Sequence, residues 1–214
     1  MKLVRLGTRA VAVAAAALLA CGVAAAPAAA TGTPKGTKSL AAVLTSDKSG
    51  FDHNSKDFDI VTAAVLAVLK AKPKSPVGVL TDGTKPVTAF VPTDGAFQRL
   101  AAELTGTHRW PSESQAFKTV AGLGINTVEA VLLYHVVPGA TIDKAAALRS
   151  DGAKLKTATG AKITVDVYWH HRCVRLIDAD RNDRDPRIVA FDVNKGNKQI
   201  AHAIDRVLRP SDLP

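Results

Sequence analysis

The side chains with the clearest potential for chemistry form an acidic run in the second half of the chain. Asp178, Asp180 and Asn182 stand at alternating positions, as oxygen ligands do at the start of a calcium-binding loop. Asp183, however, occupies the place where such a loop requires glycine, and Val189 the place of its bidentate glutamate. Arginines within the run also offset its negative charge. We therefore predict a salt-bridged hairpin loop and keep calcium binding as the weaker alternative.

A second cluster, of His170, His171 and Cys173, offers softer metal ligands. Along a strand, His171 and Cys173 would share one face, and His170 would take the other. A closed zinc site needs four ligands, and the sequence has no second cluster to complete it. We accordingly expect no metal and no cofactor, and we predict that Cys173 is a small buried residue of a strand.

Motifs of known catalytic sites are missing from the sequence. It contains no Gly-x-Ser-x-Gly elbow, no phosphate-binding glycine loop and no helical His-Glu-x-x-His motif. Carboxylates are plentiful, but no motif fixes a pair of them as acid and base. We therefore predict that the protein is not an enzyme. A secreted enzyme of unknown substrate remains one alternative, because catalytic groups can assemble from distant positions, and a carrier of a small ligand or lipid is another.

The first 30 residues have the layout of a secretory signal peptide. Lys2, Arg5 and Arg9 precede an apolar run over residues 10–20, and alanines continue from there to residue 30. The run is shorter than the roughly 20 apolar residues that a membrane-spanning helix needs, and glycine and proline interrupt the alanine-rich stretch after it. We expect cleavage after residue 30 and no transmembrane segment in the mature chain.

Residues 31–39 are rich in Gly, Pro, Thr and Lys and are predicted to form a flexible linker before a single domain over residues 40–214. Without the signal peptide, Cys173 is the one cysteine left, so the domain cannot contain an internal disulfide. Cys21 offers a different N-terminus, because the Leu-Leu-Ala before it resembles the lipidation site of bacterial lipoproteins. A lipid attached there would anchor the protein on the outer face of the membrane.

The charge of the chain limits the classes of partner. The formal net charge of +9 falls to +6 when the three basic residues of the signal peptide are removed. The remaining basic residues are scattered and aromatic residues make up only 5% of the chain, so nucleic-acid binding is not supported. An exported basic domain would instead be attracted loosely to anionic wall polymers or lipid headgroups, although a merely soluble surface also explains the modest charge.

Apolar periodicity places helices mainly in the first half of the domain and strands in the second, which predicts an α+β fold. A buried helix is expected over residues 60–69. A strand over residues 87–91 ends at Pro92 and leads into an amphipathic helix. Thr93 or Asp94 can cap that helix through a side-chain oxygen.

Two histidines fall on apolar faces. His135 lies in phase with the apolar residues of a helix whose start carries Asn126 and Glu129 at the spacing of a capping box. His202 shares a face with the apolar residues of the final strand, predicted over residues 199–208. Since a buried ring must satisfy its nitrogens, we expect both to be hydrogen-bonded core residues.

Three segments, in this order, resemble the signatures of the fasciclin domain family. They are residues 87–97 with Thr93, Asp94 and Phe97, residues 131–139 with Tyr134 and His135, and residues 199–210 with His202, Asp205 and Pro210. The resemblance implies a wedge of two β-sheets with helices packed along one side. It also implies that these signature residues, the two histidines included, are mainly structural.

The same resemblance suggests candidate binding residues. Some animal members of the family bind cell-surface receptors through an Asp-Ile element before the last strand and through the segment around the Tyr-His pair. The matching positions here are Asp192-Val193 and Tyr134-His135. Valine in place of isoleucine at position 193 weakens the transfer of receptor binding to this chain.

We therefore expect a bacterial fasciclin-like protein, secreted or cell-wall associated, that acts as a non-catalytic adhesion or binding module. The expected partners are an extracellular or surface protein, an anionic wall polymer, or another copy of the chain. Nucleic acid is not expected among them.

Overall fold

The computed structural model describes residues 36–170 and 172–211. The predicted signal peptide, Cys21 and most of the predicted linker lie outside the described residues, as does His171. The α-helices of the described part are α1 (Leu40–Leu44), α2 (Asp59–Ala71), α3 (Asp94–Leu104), α4 (Glu113–Gly122), α5 (Ile125–Tyr134) and α6 (Lys144–Ala147). Its strands are β1 (Val87–Pro92), β2 (Val136–Pro138), β3 (Lys154–Lys156), β4 (Lys162–Tyr168), β5 (Cys173–Ile177), β6 (Ile188–Val193) and β7 (Gln199–Ile204). Helices dominate the first half and strands the second, which confirms the α+β prediction.

The larger sheet has four strands in the order β2-β1-β7-β6. β1 and β7 are parallel, from Val87 opposite Gln199 to Pro92 opposite Ile204, and the two edge strands run antiparallel to their neighbours. Every residue of β1 and β7 is buried, because both faces of the sheet are covered at its centre. β1 and β7, the first and last of the described strands, therefore form the centre of the larger sheet.

Two hydrophobic cores lie on opposite faces of this sheet. Val87, Ala89 and Val91 of β1 belong to the first core, which the sheet forms with the helices, chiefly α2, α3 and α5. Phe90 belongs to the second core, where the larger sheet packs on the smaller one. Alternation along one strand thus distributes its side chains between the helical layer and the second sheet.

The smaller sheet has three antiparallel strands in the order β3-β4-β5. Ile163, Val165 and Leu176 point inward to the second core, while the alternate side chains of these strands reach solvent. A single bridge between Arg175 and Arg187 joins β5 to the chain that enters β6. The two sheets therefore meet along one edge, with the helices outside the larger sheet.

The predicted capping box at Asn126 is wrong. α5 begins at Ile125, and its N-cap is Gly124, which has a φ of 86° and offers no side-chain acceptor. Only glycine adopts this backbone readily, and it lets α5 follow α4 with a sharp change of direction. Glu129, the expected partner in the box, forms an ion pair with Lys72 instead.

The last strand is also shorter than predicted. β7 ends at Ile204, opposite Pro92, because β1 gives way to α3 at this point and no parallel partner continues. Leu208 remains fully buried beyond the strand. The apolar residues up to position 208 predicted a longer strand because they are buried, but the segment after Ile204 is irregular.

Helix length bears on the membrane question. α2 is the longest helix of the described part, with 13 residues. None of the helices in residues 36–170 and 172–211 is long and apolar enough to cross a bilayer by itself. α4 and α5 meet the length and composition requirements only as a pair, and the chain bends by 106° between them.

Candidate functional site

His135 follows α5 with its imidazole buried between the helix and the C-terminal segment. Its Nδ1 donates to the carbonyl of Val131 at 2.7 Å, and its Nε2 accepts the backbone N–H of Leu208 at 2.9 Å. Burial lowers the pKa of His135 to about 4, so the ring is neutral. Both nitrogens are occupied, and neither is left for a ligand or for proton transfer.

His202 on β7 is fully buried and likewise uses both nitrogens. Nδ1 accepts the N–H of Asp192 at 3.1 Å, and Nε2 donates to the carbonyl of Ile142 at 2.8 Å. The rings of Phe90 and Phe191 lie against it, with centroids 6.0 and 5.3 Å away. Burial lowers the pKa of His202 below its ordinary value. Both histidines thus lie inside the domain, as the periodicity of the sequence indicates.

Tyr134, the other half of the candidate Tyr-His pair, is fully buried as well. Its hydroxyl donates to the carbonyl of Lys162 at 3.2 Å, which connects α5 to β4. Burial raises the pKa of Tyr134 to about 12, so the phenol stays protonated. Neither Tyr134 nor His135 reaches the surface, and a partner could touch the pair only after the domain had opened locally.

Asp192 and Val193 form a corner at the end of β6. Asp192 has a left-handed backbone, with φ 65°, and its carboxylate accepts the N–H of Lys144 at 2.7 Å and the ammonium of Lys195 at 2.8 Å. Burial acts to raise the pKa of Asp192, but these bonds outweigh it and hold the pKa below its ordinary value. Val193 is half-buried against the helical core. The corner is held by contacts within the domain, and its role in binding stays a prediction.

The acidic run folds into a loop tied to the C-terminal segment. Asp178 accepts the N–H of Arg209 at 2.8 Å and the N–H of Asp180 at 3.0 Å, and burial raises the pKa of Asp178 to about 6. The guanidinium of Arg209 lies 3.4 Å from the carboxylate of Asp180 and 3.3 Å from that of Asp183. These contacts fit the salt-bridged interpretation of the loop.

Two members of the cysteine and histidine cluster, His170 and Cys173, lie on the outer side or at the turn of the smaller sheet. Cys173 is a free thiol on β5, half-buried and opposite Tyr168 on β4. The prediction that Cys173 is buried is therefore wrong, because Val174 takes the inward position next to it. His170 is exposed at the β4–β5 turn, and His171 is not among the described residues.

Thr93 and Asp94 both act as helix caps, but for different helices. The hydroxyl of Thr93 accepts an N–H in the first turn of α3. The carboxylate of Asp94 accepts the N–H groups of Asp59 at 3.0 Å and Ile60 at 2.8 Å, at the start of α2. Burial and a hydrogen bond shared with Asp57 raise the pKa of Asp94 to about 8. A cap that acts across the fold leaves no trace in local spacing, so sequence reasoning assigned Asp94 to the wrong helix.

The remaining signature residues also have their contacts inside the domain. Phe97 is buried in the helical core. Asp205 accepts the N–H of Arg187 at 2.7 Å, just after β7, and Pro210 is half-buried beyond it. The signatures therefore describe how the domain is held together, and contact with a partner must be sought on other surfaces.

The outer face of the smaller sheet, defined here as the outward residues of β3, β4 and β5, carries more basic than acidic residues. Lys156 lies directly opposite Lys162, and Asp166 opposite Arg175. Asp166 is neutralised by the guanidinium of Arg175, 2.6 Å away. Of the nine outward residues, four are basic and one is acidic: Lys154, Lys156, Lys162, Thr164, Asp166, Tyr168, Cys173, Arg175 and Ile177. The pattern Lys-x-Lys in a strand is the sequence signal that could have revealed this face.

An exposed tryptophan lies at the β4–β5 turn, directly after the last residue of β4. Trp169 is 70% exposed, and both Trp169 and His170 have left-handed backbone, with φ 51° and 52°. Two such residues in a row are typical of a tight hairpin turn. The guanidinium of Arg175 lies over the ring of Tyr168, 5.7 Å from its centroid. Basic and aromatic groups are thus presented together to solvent.

Two cavities in the described part of the chain bear on small-ligand binding. An apolar cavity beside Leu40, Phe97 and His135 has a volume of about 30 Å³. This is room for about one water molecule, whereas pockets for small ligands usually measure about 300–1,000 Å³. A larger hollow of about 450 Å³, around Lys72 and Glu129, is open to solvent. Neither has the form of a deep apolar pocket for a lipid.

Comparisons with known proteins agree on the fold. The sequence matches the family model of the fasciclin domain over residues 64–210. Among curated proteins, none matches the chain significantly. Among solved structures, it is similar to a FAS1 domain pair from the insect cell adhesion molecule fasciclin I, with a TM-score of 0.54 and 16% sequence identity, covering 80% of this chain and 51% of that one. The chain thus spans about half the length of this structure, and at such low identity the likeness shows the fold alone.

Proposed function

This chain belongs to the fasciclin domain family, and from that membership we propose that it works as a non-catalytic binding module at the outer surface of the cell that exports it. Fasciclin domains are generally adhesion or binding modules. A module of this kind needs a stable domain and an exposed contact surface. The buried signature residues stabilise the domain. The outer face of the smaller sheet is the surface that we propose for contact with a partner.

The observation that carries this assignment is the pair formed by Lys156 and Lys162. Like charges directly opposite each other on a sheet are destabilising. None of the residues paired between β3 and β4 is acidic, so no carboxylate in this pairing offsets the two lysines. Lys154 adds a third positive charge on the same face of β3. An anionic partner would relieve this repulsion, so the arrangement favours binding of negative charge.

An anionic polymer of the cell wall is the partner class that best matches the outer face. β4 has seven residues, so the face is about 20 Å long and suits an extended chain of repeated charges. Trp169 at one end supplies an aromatic surface for the uncharged part of such a polymer. An acidic protein surface and a second copy of the chain are the competing partners.

The buried imidazoles support a non-catalytic role. Acid–base chemistry needs a titratable group that can reach a substrate in a cleft, and the nitrogens of His135 and His202 are all engaged within the domain. The 30 Å³ cavity likewise gives little support to a lipid carrier. A secreted enzyme and a carrier are therefore the less favoured functions.

The proposed location is outside the cell, either free or attached to the wall. It rests on the signal peptide predicted at residues 1–30, the linker at residues 31–39 and the single domain at residues 40–214. Lipid attachment at Cys21 is the alternative. Fractionation of cells producing the native chain and a Cys21→Ala form separates the two, since only lipidation predicts that the variant moves from the membrane fraction to the medium.

The proposed function is tested by sedimenting the purified domain with insoluble wall material. We expect the domain to pellet with native wall and to be released as salt rises, because attraction between exposed charges is screened. Wall material stripped of its anionic polymer should not retain it. Equal retention by stripped wall would contradict a polymer partner, and crosslinking to one surface protein would favour the protein class instead.

A further inference from the structure

Three helices begin with an acidic residue, and their N-terminal ends meet at one point. α2 starts at Asp59, α3 at Asp94 and α4 at Glu113. One carboxylate oxygen from each of Asp57, Asp94 and Glu113 lies within 4.8 Å of the other two, and Asp57 forms a second such group with Asp52 and Asp59. These five residues, Asp52, Asp57, Asp59, Asp94 and Glu113, are called the acidic junction below.

The acidic junction holds carboxylate oxygens that have no partner. Oε1 of Glu113, Oδ1 of Asp57 and Oδ2 of Asp59 are buried and accept no hydrogen bond within the described residues. Glu113 is 2% exposed, and its other oxygen accepts the N–H of His53 at 3.2 Å. Across residues 36–170 and 172–211, no lysine or arginine forms an ion pair with any of the five. The junction therefore brings five carboxyl groups together without a lysine or arginine to balance them.

Helix dipoles account for part of this arrangement. The N-terminus of a helix favours one nearby anion, which explains a carboxylate at the start of each helix. Asp94 also uses both oxygens on the N–H groups of α2. The hydrogen bond shared by Asp57 and Asp94 joins those two carboxyl groups, but neither it nor the dipoles account for the buried Oε1 of Glu113 and Oδ1 of Asp57, which have no partner. These oxygens point to a positive ion.

We propose that the acidic junction is a calcium site, with Asp57, Asp94 and Glu113 as its inner ligands and Asp52 and Asp59 on its solvent side. The donors are all oxygens, which suits a hard cation and disfavours zinc. Calcium accepts six to eight oxygens at about 2.3–2.6 Å, so its ligands are at most about 5 Å apart, and three oxygens within 4.8 Å of one another fit around one ion. Magnesium requires a nearly ideal octahedron, which side chains from three helix starts and a loop are less suited to supply.

The surrounding backbone is already arranged for such a site. Asp94 donates its N–H to the carbonyl of Asp57 at 3.0 Å, and Gly95 donates to the carbonyl of Ser55 at 2.8 Å. These bonds hold the loop before α2 against the start of α3. Asp52 is exposed, so an ion can reach the junction from solvent. Bound calcium would then join this loop to α3 and α4, independently of the outer face and of the proposed binding function.

Calcium titration of the full domain, after treatment with EDTA, tests the site. At an affinity on the order of 10⁻⁴ M, 5 mM calcium chloride should raise Tm by about 5 °C or more, and magnesium chloride should raise it much less. Glu113→Gln and Asp57→Asn keep the shape of the side chain and remove one charge. Both variants should fold without calcium at least as stably as the native domain, and both should lose the calcium-dependent rise.

Terbium luminescence gives a second readout that depends on position. The ring of Trp110 lies beside Gly95, next to Asp94, whereas the chain's other tryptophan, Trp169, is on the β4–β5 turn. Terbium chloride excited through tryptophan should therefore emit in the native domain and in Trp169→Phe, and emission should fall several-fold in Trp110→Phe. Calcium should displace the terbium.

Matched controls separate this site from other acidic groups. Asp166→Asn, on the smaller sheet, should keep the full calcium response. The proposal is overturned if calcium leaves the Tm of the native domain unchanged and terbium gives no sensitised emission. It is also overturned if Glu113→Gln and Asp57→Asn respond to calcium as the native domain does, because the ion would then bind at another place, such as the Asp178 loop.

Discussion

The Nε2 atom of His135 accepts the backbone N–H of Leu208, 2.9 Å away and 73 positions along the chain. This bond fastens the segment after β7 to the end of α5. On β7 itself, His202 fastens the corner at Asp192 and the chain at Ile142 in the same manner. The two imidazoles therefore act as internal connections of the domain, and we expect changes at either to affect stability before they affect any binding.

His202→Ala should destabilise the domain markedly. The substitution leaves the N–H of Asp192 and the carbonyl of Ile142 without their partner and opens a void between Phe90 and Phe191. We expect a loss of about 3 kcal/mol in the free energy of unfolding, measured by urea denaturation. His170→Ala, at the exposed turn, is the control and should change it by less than about 0.5 kcal/mol. Equal effects of the two would contradict the inward position of His202.

His135 should make the domain less stable as pH falls from about 6.5 towards 4. The ring stays neutral in the folded state, where its pKa is about 4, but binds a proton near pH 6.5 once unfolded. Because the unfolded state then binds more protons than the folded state, His135 lowers the free energy of unfolding by about 2 kcal/mol at pH 5. Asp59 and Asp178, whose pKa values are raised to about 6, and Asp94, whose pKa is raised to about 8, work in the opposite direction, so the native domain shows only the sum of these effects.

The comparison with His135→Gln isolates the imidazole. Unfolding free energies of both proteins are measured by urea denaturation between pH 7.5 and 5. The native domain should lose about 2 kcal/mol relative to the variant over this range. Parallel curves for the two proteins would mean that His135 is not buried as a neutral ring.

Gly95→Ala should destabilise the start of α3 and the loop that contacts it. A Cβ at this position would lie 3.0 Å from the carbonyl oxygen of Ser55, which is backbone and cannot easily move. We expect a loss of about 1–3 kcal/mol. Gly122→Ala, at the last residue of α4, has nothing within 4 Å of its Cβ and should leave thermal stability unchanged or raise it by about 0.5 kcal/mol. A neutral Gly95→Ala would show that the loop is not held closely.

Local pattern was enough to predict the type of most elements and the inward side of His135 and His202. Local pattern failed where a helix start or a contact depends on residues outside the local segment. The capping box was assigned to α5, which Gly124 starts, while a real one at Ser112 and Gln115 starts α4. The Ser-x-x-Gln spacing of the real box is visible in the sequence, and the false box at Asn126 shows that such spacing does not by itself fix a helix start.

Contacts between distant residues account for the other failures. The parallel pairing of β1 with β7 joins residues more than 100 positions apart, and no signal in either strand specifies it. The acidic junction was missed for the same reason: Asp57, Asp94 and Glu113 stand far apart in sequence and meet only because three helix starts converge. The outer face was closer to detection, since its lysines alternate within two neighbouring strands.

The most direct measurement of the proposed function compares two triple variants for binding to the anionic wall polymer. One replaces Lys154, Lys156 and Lys162 of the outer face by glutamate. The control replaces three exposed lysines on the helical side, Lys70, Lys74 and Lys118, and changes the net charge equally. We expect Kd to rise about tenfold or more for the face variant and less than about twofold for the control, with the same Tm for both. Equal weakening by the two variants would mean that only net charge matters, and unchanged binding by the face variant would contradict the outer face as the contact surface.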